Sequence, residues 1–221
     1  VAAVPGKEWA KQVFPEKSEA QAMESLWEAI FCAVRIQDGD AVQAWREHDA
    51  LLSEKCEILN KYQFTELHYE NEAGTDFRVG LVKNHIWEGG SEESGSGVRF
   101  IANMPTEEVF TMPDYRKAEG KVVSSRPLSY RGNLIKDFSL TFHEGKVVDF
   151  DAREGYDALK QLLDTDEGSK SLGEVALVPY ASPISEMGIL FYNTLFDENA
   201  SCHLALGECY PTTVQDGEKM N

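Results

Sequence analysis

Two adjacent glutamates, a glutamate at the head of an apolar run, and a glutamate five residues before a histidine are the residues of this chain that invite chemistry. Thr106-Glu107-Glu108 lies between Pro105 and Pro113, just after a predicted strand ending at Ala102. Adjacent carboxylates at a strand end suit a metal hydrolase, since one can bind the ion while its neighbour takes a proton from the attacking water. A solvated turn accounts for the same pair. Glu174 follows Leu172-Gly173 and leads into Val-Ala-Leu-Val. A carboxylate at the mouth of an apolar strand must be paired, protonated or bound to a cation. Ligand, base and structural ion pair all remain open there. Glu198 stands five residues before His203, and such oxygen and nitrogen donors suit zinc, cobalt or manganese. Alone the pairing is weak, because the helical zinc motif uses two histidines four apart. Tyr210, between Cys209 and Pro211, could donate to a developing oxyanion or merely pack. His48, His85 and His143 read as packed or surface residues.

The elements that must position these groups change character along the chain. Residues 1–62 read as helical. Ser18 and Gln21 form a capping-box pattern before Leu26, Trp27, Ile30, Phe31 and Val34. Residues 37–40 read as a turn, from which Asp40 caps a helix whose stripe is Ala41, Trp45, His48, Leu52, Leu59 and Tyr62. From Phe64 onward short strands follow at 65–70, 76–82, 98–102, 120–125, 134–143 and 146–152. Glu144-Gly145 reads as a hairpin turn. A helix follows at 156–163 and an apolar strand at 174–178, while 194–202 has no clear pattern. The Gly/Ser-rich stretch 89–97 reads as flexible. The fold class is therefore α+β, a helical N-terminal segment at 1–62 followed by a β-rich domain at 63–221.

Composition narrows the partners. A net charge of −17 argues against nucleic acid, because phosphate binding needs a basic surface. No run of 18 apolar residues suggests a membrane span. The four cysteines, Cys32, Cys56, Cys202 and Cys209, are scattered without a C-x-x-C pair, which favours a reducing cytoplasm over a disulfide scaffold. The first residues lack the order of a signal peptide.

Three blocks carry a family resemblance. Arg-Phe-Ile-Ala-Asn-Met-Pro-Thr-Glu-Glu-Val-Phe-Thr-Met-Pro (99–113) resembles the signature of the thermophilic-type metalloaminopeptidases, the group containing aminopeptidase T, aminopeptidase S and PepS. Leu-Gly-Glu-Val-Ala-Leu-Val (172–178) resembles the second block and Leu-Phe-Asp-Glu-Asn-Ala-Ser-Cys-His-Leu-Ala-Leu-Gly (195–207) the third. The resemblance implies a C-terminal catalytic domain holding two divalent metal ions, with zinc, cobalt and manganese as the possible ions. It makes Glu108, Glu174, Glu198 and His203 the metal ligands, Glu107 the general base, and Tyr210, seven residues after His203, the oxyanion donor. Glu108 is preferred to Glu107 as ligand because Glu174 lies 66 residues beyond it, the expected family spacing.

The implied reaction removes N-terminal residues from peptides by a metal-activated water, in a cytoplasmic homodimer. Substrates would be peptides with a free N-terminus. Family members are about twice this length. The resemblance therefore also implies a fragment, joined through 1–62 to a missing N-terminal domain and lacking a final His-x-Asp ligand pair, with weak or no activity of its own. Two rivals use the same residues differently. One is a non-catalytic dimerisation or scaffold module, pairing through exposed β edges and the apolar run Ile189-Leu190-Phe191. The other is a glycosidase using Glu174 with a second carboxylate, which leaves His203 idle.

Overall fold

The computed structural model describes residues 1–36 and 39–219. Of the expected turn at 37–40, Gln37 and Asp38 lie outside the described residues. The fold is α+β and divides into two compact units. One comprises Val1–Cys56, Gly89–Val109 and Leu177–Cys202, the other Glu57–Glu88, Phe110–Ala176 and His203–Asn221. The sequence boundary at 62/63 follows the change from helix to strand; the units instead assemble from separated segments.

The first unit is built on helices α1 (Lys7–Val13), α2 (Glu19–Ala33) and the greater part of α3 (Ala41–Tyr62). The capping box is present as expected: Ser18 Oγ accepts from the Gln21 N–H, and Gln21 Oε1 accepts from the Ser18 N–H at 3.2 Å. Both satisfy donors that a helix start leaves open. Asp40 Oδ1 likewise accepts from the Val42 and Gln43 N–H groups at the start of α3. The stripe of α3 is buried at Trp45, His48, Leu52 and Cys56. Tyr62, expected on the same stripe, is exposed.

The core of this unit joins Ala10, Leu26, Ile30 and Trp45 to Ile184, Phe191 and Phe196. Phe191 and Phe196 stack at 4.7 Å between ring centroids, and Ile189 packs against the same cluster. Of the run 189–191, Phe191 and Ile189 thus pack on the unit's own interior.

The stretch 89–97 departs from expectation. Strands β3 (Ser91–Glu93) and β4 (Arg99–Ile101) pair antiparallel across it. One carboxylate of α3 organises the hairpin. Asp49 accepts from the Ser91 N–H at 2.7 Å, from Ser91 Oγ at 3.0 Å and from Arg99 Nη2 at 3.0 Å. Gly90 makes room for that carboxylate, since a Cβ there would lie 2.6 Å from Asp49 Oδ1.

The second unit carries a sheet of strands β1 (Glu66–Glu70), β2 (Asp76–Leu81), β6 (Pro113–Val123), β8 (Asn133–His143) and β7 (Leu128–Tyr130) in that order, with β9 (Lys146–Glu154) also paired to β8. Glu144 and Gly145 turn β8 into β9 with φ of 49° and 80°, the sign a tight primed hairpin requires. Phe77 and Phe142, both buried, meet at 5.1 Å in this sheet's core. Helix α4 (Tyr156–Leu163) covers β8 and β9 with buried Leu159 and Leu163. A second sheet has the order β11 (His203–Leu206), β10 (Leu172–Leu177), β5 (Val109–Thr111). Short helices α5 (Pro183–Met187) and α6 (Thr194–Asp197) lie between β10 and β11 in the chain. Among the described residues no helix is long and apolar enough to cross a membrane.

Candidate metal centre

The three-stranded sheet is where the chemistry-bearing residues gather. Glu174 sits on β10 opposite Ala205, and His203 opens β11 opposite Ala176. Residues two apart on a strand share a face, so Glu174 and His203 are diagonal neighbours on one side of the sheet. Their side chains close the gap: His203 Nε2 lies 3.9 Å from Glu174 Oε1, with both groups mostly buried. Local backbone makes this possible. The ladder shifts register between Leu172 and Glu174, and a Cβ on the intervening Gly173 would sit 2.0 Å from the Glu208 carbonyl oxygen. Only glycine lets the two backbones approach there.

Glu108 precedes β5, the third strand of the same sheet, and is buried. Glu108, Glu174 and His203 each offer one ligand atom, and these atoms all lie within 4.8 Å of one another. Two ligands on one ion at about 2.0–2.2 Å can stand no more than roughly 4.4 Å apart. The separation of Glu174 from His203 meets that limit as it stands. Two carboxylates and an imidazole also suit a borderline divalent ion. The donor set fits a metal.

Glu198 and Tyr210 are placed differently. Glu198 begins a 3₁₀ turn (Glu198–Ala200) after α6, half-buried, and is not one of the three mutually close donors. Tyr210 precedes a second 3₁₀ turn (Pro211–Thr213). The residue is 62% exposed, and its ring lies 5.8 Å from that of Phe110 between centroids.

Glu107, expected as the general base, has defined partners of its own. The expected general base should face a ligand site with a carboxylate open to accept a proton. Instead Glu107 is 1% exposed and both its oxygens are taken by the Arg35 guanidinium, Oε1 by Nη1 and Oε2 by Nη2 at 2.8 Å. His48 Nε2 lies 3.8 Å from Oε1 and donates to the Thr106 carbonyl at 2.7 Å. Burial pushes the pKa of His48 down, partly offset by that hydrogen bond and by Glu107. The backbone N–H of Glu107 donates to Asn199 Oδ1 at 2.7 Å. Glu107 is a locked ion-pair member. Sequence reasoning passed over its partners, because Arg35 and Asn199 stand 72 and 92 residues away and no spacing links them. His48 itself is the packed, hydrogen-bonded residue expected.

His85 is buried and donates Nδ1–H to the Val82 carbonyl at 2.9 Å. His143 is exposed beside Glu119 at 3.2 Å.

Comparison with known proteins gives a consistent picture. All 221 residues match the family described as thermophilic metalloprotease (M29). The chain is 51% identical over 218 residues to Aminopeptidase 2 of Geobacillus stearothermophilus, covering 99% of this chain and 52% of that protein. It is 53% identical over 213 residues to Aminopeptidase AmpS of Bacillus subtilis, covering 96% and 52%. The solved structure of wild-type AmpT from Thermus thermophilus superposes with a TM-score of 0.90 at 43% identity, covering 97% of this chain and 52% of that one. The chain spans about half the length of the curated relatives it matches.

Proposed function

Because this chain belongs to the thermophilic metalloprotease (M29) family, we propose that it carries the metal-binding residues of an aminopeptidase, which removes amino-terminal residues from peptides. Relatives at 45–53% identity bear that name. The observation that carries the reading is the group Glu108, Glu174 and His203, three donors within 4.8 Å on one small sheet.

A bound divalent ion supplies a Lewis acid that polarises a carbonyl and makes water nucleophilic near neutral pH. Glu108, Glu174 and His203 would hold it, and Glu198 would serve a second ion; zinc, cobalt and manganese all suit such donors. With Glu107 occupied by Arg35, the proton acceptor in this reading is a carboxylate of the site itself. Tyr210, its ring tilted against Phe110 and the residue largely exposed, is the donor proposed for the developing oxyanion. Acidic side chains around the site would hold the free α-ammonium of a peptide, which restricts attack to the amino end. A cytoplasmic homodimer is part of the same reading, and sedimentation tests the dimer.

Hydrolysis of aminoacyl-p-nitroanilides by the protein, with and without a chelator, tests the reaction. Activity should disappear on metal removal and return when a divalent ion is added back. Activity indifferent to the chelator would end the metal-dependent reading and favour a carboxylate-only hydrolase.

A further inference from the structure

We infer that Arg35, Glu107 and Asn199 form a buried brace that fixes the backbone beside Glu108, making all three positioning residues for the metal ligand. The inference rests on the reading of Glu108 as a ligand.

Three elements converge on two consecutive residues. Arg35, just past the C-terminal end of α2, grips both oxygens of Glu107. His48 of α3 holds the Thr106 carbonyl at 2.7 Å. Asn199 of the 3₁₀ turn accepts from the Glu107 N–H at 2.7 Å. Asn199 is itself fixed: its Nδ2 donates to the Leu195 carbonyl at 2.9 Å, and its own carbonyl accepts from Ser182 Oγ at 3.1 Å. Gly89 closes the arrangement, since a Cβ there would lie 2.6 Å from the Glu108 carbonyl oxygen. Beyond Glu108, Phe110 exchanges backbone hydrogen bonds with Glu88 at 2.8 and 3.0 Å. The chain is pinned on both sides of the proposed ligand.

Stability does not explain such a device. Burying a carboxylate against a guanidinium costs desolvation of both, and well-packed apolar replacements are often neutral or stabilising. Placement does explain it. A ligand must be held to within about 0.5 Å of its working position, by neighbours that are themselves locked. Outer partners of metal ligands typically matter by about ten- to hundredfold in metal affinity.

Substituting Arg35 alone would strand a buried charge on Glu107, so the pair is replaced together. The test compares wild type, Asn199→Ala, the double variant Arg35→Met with Glu107→Leu, and the ligand control Glu108→Gln. Each is titrated with Co²⁺ alone by calorimetry, with the visible absorption of bound Co²⁺ and thermal melting followed alongside. We expect Asn199→Ala and the double variant to stay folded, to bind Co²⁺ roughly ten- to hundredfold more weakly and to show an altered absorption band. Glu108→Gln should lose more. If both brace variants match wild type in affinity and absorption while Glu108→Gln binds poorly, the brace is merely structural and the inference fails alone. If Glu108→Gln also binds like wild type, the site reading itself falls and takes the inference with it. Should the double variant not fold, Asn199→Ala decides.

Discussion

Glu174 and His203 meet because β10 and β11 set them diagonally on one face of a sheet, so either side chain can be changed without breaking the ladder. Glu174→Gln keeps the shape and removes the charge. Loss of a ligand should exceed the ten- to hundredfold loss typical of outer partners, so metal affinity should fall by more than about a hundredfold, with hydrolysis falling alongside. Elemental analysis of the purified variant checks this, and full metal content would strike Glu174 from the site. His203→Ala should behave likewise. Glu174 draws notice in the sequence for a physical reason, since a carboxylate leading an apolar strand needs a partner. The ion pair of Glu107 has no such signal. The adjacency of Glu107 to Glu108 suggested a ligand and base side by side, yet side chains next to each other in sequence can serve different partners. The Arg35 that claims Glu107 lies 72 residues away, where spacing carries no signal. Glu198 opens a 3₁₀ turn and His203 opens a strand, so five residues of spacing between them do not set a shared direction.

Elements with local signatures were the readable ones. The capping box of α2 and the Glu144-Gly145 hairpin each rest on residues within one turn, and α4 follows its expected span of 156–163. Strand β6 begins at Pro113, seven residues before its expected start, because its burial does not alternate cleanly and its pairing with β2 shifts register between Val79 and Leu81. Hairpin β3–β4 was hidden by its Gly/Ser content, since the carboxylate that orders it belongs to α3. At the start of β6 stands Asp114, whose pKa is lowered from 3.8 to about 2, first by the hydrogen bond from Arg116, with Lys117 adding to it. A carboxylate depressed in the folded state stabilises the protein above its unfolded pKa, and that stability is lost as pH falls from about 4 to about 2. The gap is worth at most roughly 2–3 kcal/mol. Arg116 and Lys117 are 69% and 66% exposed, and solvent screening brings the figure to about 1–2 kcal/mol. Asp114→Asn should therefore be less stable near neutral pH and flatter across the acid limb. Urea denaturation at stepped pH measures both, and parallel curves for the two proteins would remove Asp114 from the acid response.

At the scale of the whole molecule, the two compact units draw on three separated segments each, which a reading in chain order divides at 62/63 instead. Interleaving of this kind follows from long-range packing, such as Phe191 and Phe196 joining a core begun at Ala10 and Leu26, and no local pattern announces it. Net charge, by contrast, is fully legible, and its consequence is physical. A chain at −17 surrounds itself with a potential that attracts cations and repels anions. If the proposed peptidase activity is present, this field should favour peptides whose first residue is basic, through encounter rather than through contacts in a pocket. The two causes separate by salt, because the screening length shrinks from about 30 Å at 0.01 M to about 10 Å at 0.1 M. The ratio of kcat/KM for lysyl- over leucyl-p-nitroanilide should fall on the order of threefold to tenfold across that range, with kcat itself nearly constant. A ratio that ignores salt would place any basic preference in side chains touching the substrate, and the acidity of the molecule would then bear on its solubility alone.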